Sequence, residues 1–268
     1  DFVWAGMDYL GEVGIGSWEY ADRAPEFEHG PGWVSAGSGR IDLTGKPLAE
    51  AAYTRVAFGL EKGPRIGVRP VNHTNDKHSP SAWKMTNAIE SWSWNGCEGN
   101  PAHVEIYARG EKAALFLNGK KVGQARLRQC RCLIKTTYQP GELTAVSYDA
   151  EGRELGRSSL HTASGHTELR LLADSCTVRP GHLAFIRLAY TDENGTIKPL
   201  ERHRVQVSVE GGRLLALGHA CPYNPDGYLG QDTDTYWGEA LAVVLADGPV
   251  TLTAADGKHT AVCRLNAQ

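Results

Sequence analysis

From Val104 onward the chain is written in short apolar runs, each closed by a turn signal. Val104, Ile106 and Tyr107 lead into Ala113-Ala114-Leu115-Phe116-Leu117, followed by Asn118-Gly119 and then Lys120-Lys121-Val122-Gly123. An Asn-Gly pair between two such runs predicts a two-residue hairpin, because a type I′ turn needs positive φ at both central residues. Tyr138-Gln139-Pro140-Gly141-Glu142 predicts another turn. The strand after it alternates, with Leu143, Ala145 and Ser147 on one face and Thr144, Val146 and Tyr148 on the other. Strands this short, with turns roughly every 8–12 residues, predict a β-sandwich of immunoglobulin-like architecture.

A second set of strands starts near His166. Leu169, Leu171 and Ala173 alternate with Arg170, Leu172 and Asp174, and Leu183 to Tyr190 reads as a buried strand. Asp192-Glu193-Asn194-Gly195 is a turn, Val205 to Val209 alternates, and Leu241–Leu245 and Val250–Ala254 read as two further strands. Asp256-Gly257 then turns the chain into Thr260-Ala261-Val262-Cys263. Two consecutive sandwiches are therefore expected, over residues 63–164 and 165–268.

The segment 1–62 has a different pattern. Phe2 to Gly6 predicts a buried strand, a loop rich in Gly, Trp and acid runs from Gly11 to Ser38, and Leu48 to Phe58 has helical propensity, with Pro47 tolerated in the first turn. Leu48, Ala52, Val56 and Tyr53 form its apolar stripe. One strand, one loop and one helix do not enclose a core, so this is expected to be the last β/α unit of something larger, with Asp1 as a cut edge.

At this point the motifs resemble one family. Phe2-Val3-Trp4-Ala5-Gly6-Met7-Asp8-Tyr9-Leu10-Gly11-Glu12 is similar to the eighth strand and following loop of the catalytic barrel in family 2 glycoside hydrolases, the β-galactosidase group. Ser38 to Pro47 resembles the segment before that barrel's last helix, and Ser91-Trp92-Ser93-Trp94-Asn95-Gly96 resembles the start of the next domain. Leu115 to Gly123, Tyr138 to Leu143 and His161 to Gly165 follow in the family's order. The resemblance implies a mainly β chain: two immunoglobulin-like β-sandwiches preceded by the last β/α unit of a truncated TIM barrel. It also implies that Trp4 forms part of the floor of a sugar site, with Asp8 supporting polar groups there.

The same resemblance implies a retaining hydrolase whose two catalytic carboxyl groups stand about 5–5.5 Å apart on earlier barrel strands. The family's acid/base lies in an Asn-Glu pair, and no Asn-Glu dipeptide occurs in this sequence. Glu12 alone in a Gly-bearing loop reads as a solvated carboxylate. No catalytic residue is therefore assigned, no cofactor is implied, and this piece is expected to be inactive. Its implied partners are the remainder of the parent hydrolase chain, a β-galactoside or related glycan, and a second copy in a homo-oligomer.

Three stretches carry candidate chemistry of their own. The loop from Gly218 to Gly238 holds His219, Cys221, Tyr223, Asn224, Asp226, Tyr228, Asp232, Asp234, Tyr236 and Trp237. A loop of some 20 residues in a compact domain is usually either functional or disordered. Tyr223, Tyr228, Tyr236 and Trp237 suit carbohydrate contact. The Asp residues suit a hard cation, though Asp232-x-Asp234 lacks the Gly and distal Glu of an EF-hand. Packed structure is the third reading. In the polar connection 63–84, His73, Asp76 and His78 suit either a metal or a solvated linker. Trp92 and Trp94, two apart, would share one face of a strand, as a sugar platform or as core.

Composition narrows the field further. The 268 residues carry a net charge of −3, so no basic field exists to hold nucleic acid or an anionic membrane, and no apolar run is long enough to span a bilayer. The six cysteines are scattered, and Cys130 and Cys132 would share a strand face, too constrained for an easy disulfide. Free thiols are expected, which favours a reducing, cytoplasmic setting.

Overall fold

The structure is a computed structural model that describes residues 3–20, 29–79 and 81–268. It divides into two compact units, residues 1–29 with 35–162, and residues 30–34 with 163–268. No helix among the described residues is long and apolar enough to cross a membrane. All six cysteines are free thiols.

The first unit opens with short elements: β1 (Tyr9–Leu10), β2 (Glu19–Tyr20), β3 (Ser35–Ala36) and the helix α1 (Ala49–Ala57). Phe2, at the head of the sequence-predicted strand, lies outside the described residues. Val3 to Gly6 form no regular strand, although Ala5 N–H donates to Ser38 O, Arg40 N–H to Ala5 O and Ile41 N–H to Gly6 O, each at 3.2 Å. Helix α1 starts one residue later than expected, with Leu48 as its N-cap, and its buried stripe is Ala49, Ala52 and Val56 rather than one led by Leu48. That stripe packs on Ala88 and Tyr107, with Tyr53 edge-on to Tyr107 at 5.8 Å. Arg109 donates to Val56 O at 3.0 Å and Ala57 O at 2.8 Å, satisfying carbonyls that a helix end leaves bare.

The sandwich strands of this unit are β4 (Arg65–Val68), β6 (Pro101–Tyr107), β7 (Lys112–Leu117), β8 (Lys120–Arg126), β9 (Arg131–Thr137), β10 (Glu142–Tyr148) and β11 (Glu154–His161), while β5 (His78–Ser79) pairs apart from them with β2. One sheet has the order β4-β6-β9 and the other β11-β10-β7-β8. The Asn-Gly hairpin forms as expected, with φ of +50° at Asn118 and +76° at Gly119, and Leu117 pairs with Lys120 across it. Trp92 and Trp94 are fully buried, which settles them as core. They do not lie in a strand, contrary to the period-2 reading. Their backbone is served by side chains instead: Trp94 N–H donates to the Tyr138 hydroxyl at 3.0 Å, and Thr162 Oγ1 donates to Trp92 O at 2.7 Å.

The second unit contains β12 (Glu168–Ala173), β13 (Thr177–Val178), β14 (Leu183–Thr191), β15 (Arg204–Gly218), β16 (Asp232–Asp234), β17 (Glu239–Ala255) and β18 (Thr260–Ala267). Its main sheet runs β12-β14-β17-β15-β16, and β18 pairs with both β17 and β13. The two strands expected at 241–245 and 250–254 are halves of one strand, β17, which pairs with β15 along most of its length. A register shift between Glu210 and Gly212 bends the pair. Gly211 sits there at φ +74°, and a Cβ on it would lie 1.8 Å from Pro249 O, so only glycine fits. Ile186, Leu188, Tyr190, Leu217, Val244 and Leu252 form the centre of the core.

Candidate functional site

In the first unit, residues 3–13 fold back on residues 35–41, with Tyr9 paired to Ala36 and Met7 bridged to Ile41. The fold leaves Trp4 59% exposed, in company with exposed Met7 and Leu10. Trp4 Nε1–H donates to the Tyr9 hydroxyl at 3.0 Å, and the rings meet edge-to-face at 6.1 Å. The Tyr9 hydroxyl in turn donates to the Glu12 carboxylate, which pushes the phenol pKa up. Glu12 is thus exposed and tied to Tyr9. Asp8 is buried instead, and its Oδ1 accepts the Gly39 amide at 2.6 Å. Burial pushes the Asp8 carboxyl up, against the charge of Lys84 and the Gly39 donor. Trp4 is therefore more than half exposed, whereas Asp8 is buried and holds backbone.

The polar connection is more than a linker. β2 pairs with β5, which brings Tyr20 onto His73 in a stack with centroids 4.1 Å apart, and Trp18 onto His78 at 5.2 Å. His73 Nδ1 meets Asp76 at 2.6 Å, so these side chains are engaged with rings and one carboxylate. Among the described residues no group of three or more His, Cys, Asp or Glu is placed to hold a metal ion.

In the second unit the 218–238 loop is a built structure. Residues 30–34 lie along it: Val34 N–H donates to Pro222 O at 2.9 Å and Asn224 N–H to Gly32 O at 2.7 Å, so Trp33 and Tyr223 face each other across a short antiparallel bridge. Their rings meet edge-to-face at 5.7 Å. Tyr223 is exposed, whereas Tyr228 packs against Gly218, and Tyr236 lies against Trp237 at 5.3 Å and His219 at 6.2 Å. Burial lowers the His219 pKa and raises that of Cys221. The three aspartates that suited a cation are taken by arginine: Arg204 binds Asp226 at 2.5 Å and Asp232 at 2.8 Å, and Arg202 binds Asp234 at 2.9 Å. Of the four aromatic residues proposed for glycan contact, Tyr223 alone is exposed; the other three are half-buried. Trp33 was not among the expected residues, and its only signal was a lone Trp directly after Gly30-Pro31-Gly32.

Residues 169–262 match the family model of the glycoside hydrolase family 2 C-terminal domain 5, and residues 99–156 match a domain of unknown function, DUF4982. The β-galactosidase BoGH2A of Bacteroides ovatus is 23% identical over 276 residues, aligned along 100% of this chain and 28% of that protein. A glycosyl hydrolase family 2 member from Bacteroides cellulosilyticus superposes with a TM-score of 0.85 at 26% identity, over 100% of this chain and 36% of that one. The chain belongs to the C-terminal region of family 2 glycoside hydrolases. A second family 2 member from Bacteroides cellulosilyticus agrees, with a TM-score of 0.76 at 25% identity over 86% of this chain and 32% of that one. This family 2 region thus spans between 28% and 36% of the length of these relatives. Its domain 5 match contains the whole 218–238 loop and its DUF4982 match contains the Asn-Gly hairpin; Trp4, Asp8 and Trp33 lie outside both.

Proposed function

We propose that the chain is the non-catalytic C-terminal portion of a retaining glycoside hydrolase of β-galactosidase type, which hydrolyses terminal β-glycosides. In this reading residues 1–62 supply the closing β/α unit of the catalytic barrel, and residues 63–164 and 165–268 are scaffold and accessory domains. The observation that carries it is the likeness along 100% of the chain to a β-galactosidase of which it covers only 28%. Exposed Trp4, Met7 and Leu10 fit the same reading, as the side of the unit that meets the remainder of the hydrolase chain. There Trp4 lies against the sugar and Asp8 holds the backbone that carries it.

The test is direct. The 268-residue protein should show no turnover of nitrophenyl β-galactoside, and measurable turnover by the pure chain would overturn the assignment. In a longer protein containing the whole barrel, Trp4→Ala should lower kcat/KM by about 100-fold or more if it lines the reacting sugar. Near-unchanged kinetics would remove Trp4 from the site. A second reading, that the 165–268 domain binds carbohydrate, is favoured by one observation: Tyr223 is exposed yet held on a paired ribbon.

A further inference from the structure

We infer that the Trp33–Tyr223 ribbon, with Arg204 and Asp226, is a subsite for a neutral hexopyranose unit of an oligosaccharide; the inference rests on the second reading above and gives it a ligand class. Tyr223 is 45% exposed, although its segment of the loop is pinned to residues 32–34 by backbone hydrogen bonds. Backbone hydrogen bonds on either side of the Trp33–Tyr223 bridge fix it, and buried Asn224 donates to Gly227 O at 2.9 Å to close the next turn. Its ring packs on Gly32, where a Cβ would stand 2.7 Å from the ring, and its edge contact with Trp33 fixes the tilt. Tyr223 is thus a ring only partly covered by its packing. It is oriented in advance while much of its surface stays in water, the arrangement a binding platform requires.

The polar groups define the ligand. A pyranose offers an apolar C–H face, suited to an aromatic ring, and hydroxyls that both donate and accept. Three residues beyond Tyr223, Asp226 engages Arg204, whose guanidinium also holds Asp232. Guanidinium N–H groups and carboxylate lone pairs not used between them face solvent, since Arg204 and Asp226 are both exposed. The cluster contains Asp226, Asp232 and Asp234 against Arg202 and Arg204, a surplus of one negative charge. A neutral sugar is accommodated, and a uronic acid is repelled.

Calorimetric titration of the 268-residue protein with β-1,4-galactotriose and with trigalacturonic acid tests this. The neutral trisaccharide should bind, and the acidic one about tenfold or more weaker. Tyr223→Ala should weaken the neutral ligand about tenfold or more, Tyr223→Phe should keep its affinity within about twofold, and Asp226→Asn should weaken it several-fold at an unchanged thermal midpoint. If Tyr223→Ala disturbs the fold, Tyr223→Phe and Asp226→Asn still decide. No binding of galactotriose, equal binding of the two trisaccharides, or a loss caused by Trp4→Ala but not by Tyr223→Ala would each overturn the subsite. None of these outcomes touches the hydrolase assignment, which is judged by turnover.

Discussion

Asp256 has 1% of its side chain exposed and gathers four donors. The Tyr190 hydroxyl donates at 2.6 Å, His259 Nδ1 lies at 2.8 Å, and the amides of Lys258 and His259 donate at 2.8 and 2.7 Å. His203 Nδ1 stands 3.9 Å away, and Glu201 faces the other side of His203 at 2.8 Å. Burial alone would raise the Asp256 pKa, but the Tyr190 and His259 donors outweigh it and hold the carboxyl well below the usual range. A carboxyl depressed in the folded state stabilises above its unfolded value, near 3.9, and that contribution is lost as pH falls through and below it. Asp256→Asn should therefore cost the second unit about 1–3 kcal/mol at neutral pH and flatten the fall in stability between about pH 5 and pH 2. Thermal unfolding across that range checks it, and an unchanged acid slope in the variant would reject the role. At this scale the sequence speaks unevenly. Asp256-Gly257 was legible as a turn, but the partners arrive from far along the chain, Tyr190 from β14 and His203 from just before β15, and leave no local trace.

Elements were legible where local chemistry decides them. Asn118-Gly119 forms the expected hairpin because its backbone preference needs no outside help. Asn118 also accepts the Glu142 amide at 2.8 Å and donates to Pro140 O at 3.0 Å, a latch between two turns that no spacing rule reveals. The Trp92–Trp94 segment shows the opposite case: alternation suggested a strand, but Tyr138 and Thr162 side chains replace the ladder. Trp92 meets Tyr138 edge-to-face at 4.9 Å and donates its Nε1–H to Gln139 O at 3.0 Å. Trp92→Ala should cost about 3–5 kcal/mol, read from chemical denaturation, and should leave any glycan affinity of the second unit unchanged. A loss below about 1 kcal/mol would mean the indole is not a keystone of this core.

For the molecule as a whole, pattern alone foresaw two β-sandwiches, and both the folded chain and its relatives bear out a mainly β C-terminal region. What it missed is long-range placement. Residues 30–34 pair with 222–224 in the second unit, a junction invisible to any window of sequence. Helix α1, by contrast, has its apolar stripe in the core of the first unit, against Ala88 and Tyr107. Hydrogen exchange should therefore find the inner amides of α1 opening at the same free energy as those of β6. Exchange of α1 that is faster by about 100-fold or more would show the helix to be loosely attached.

The mouth of the 218–238 loop is clamped, since Gly218 at the end of β15 is paired with Leu241 in β17. Both feet are therefore fixed side by side, and β16 ties the loop's later part to the start of β15, Asp234 opposite Arg204 and Asp232 opposite Gln206. An added residue is thus best absorbed near Leu229, which is 90% exposed and clear of these pairings, whereas one inside Asp232–Asp234 would shift the register against β15.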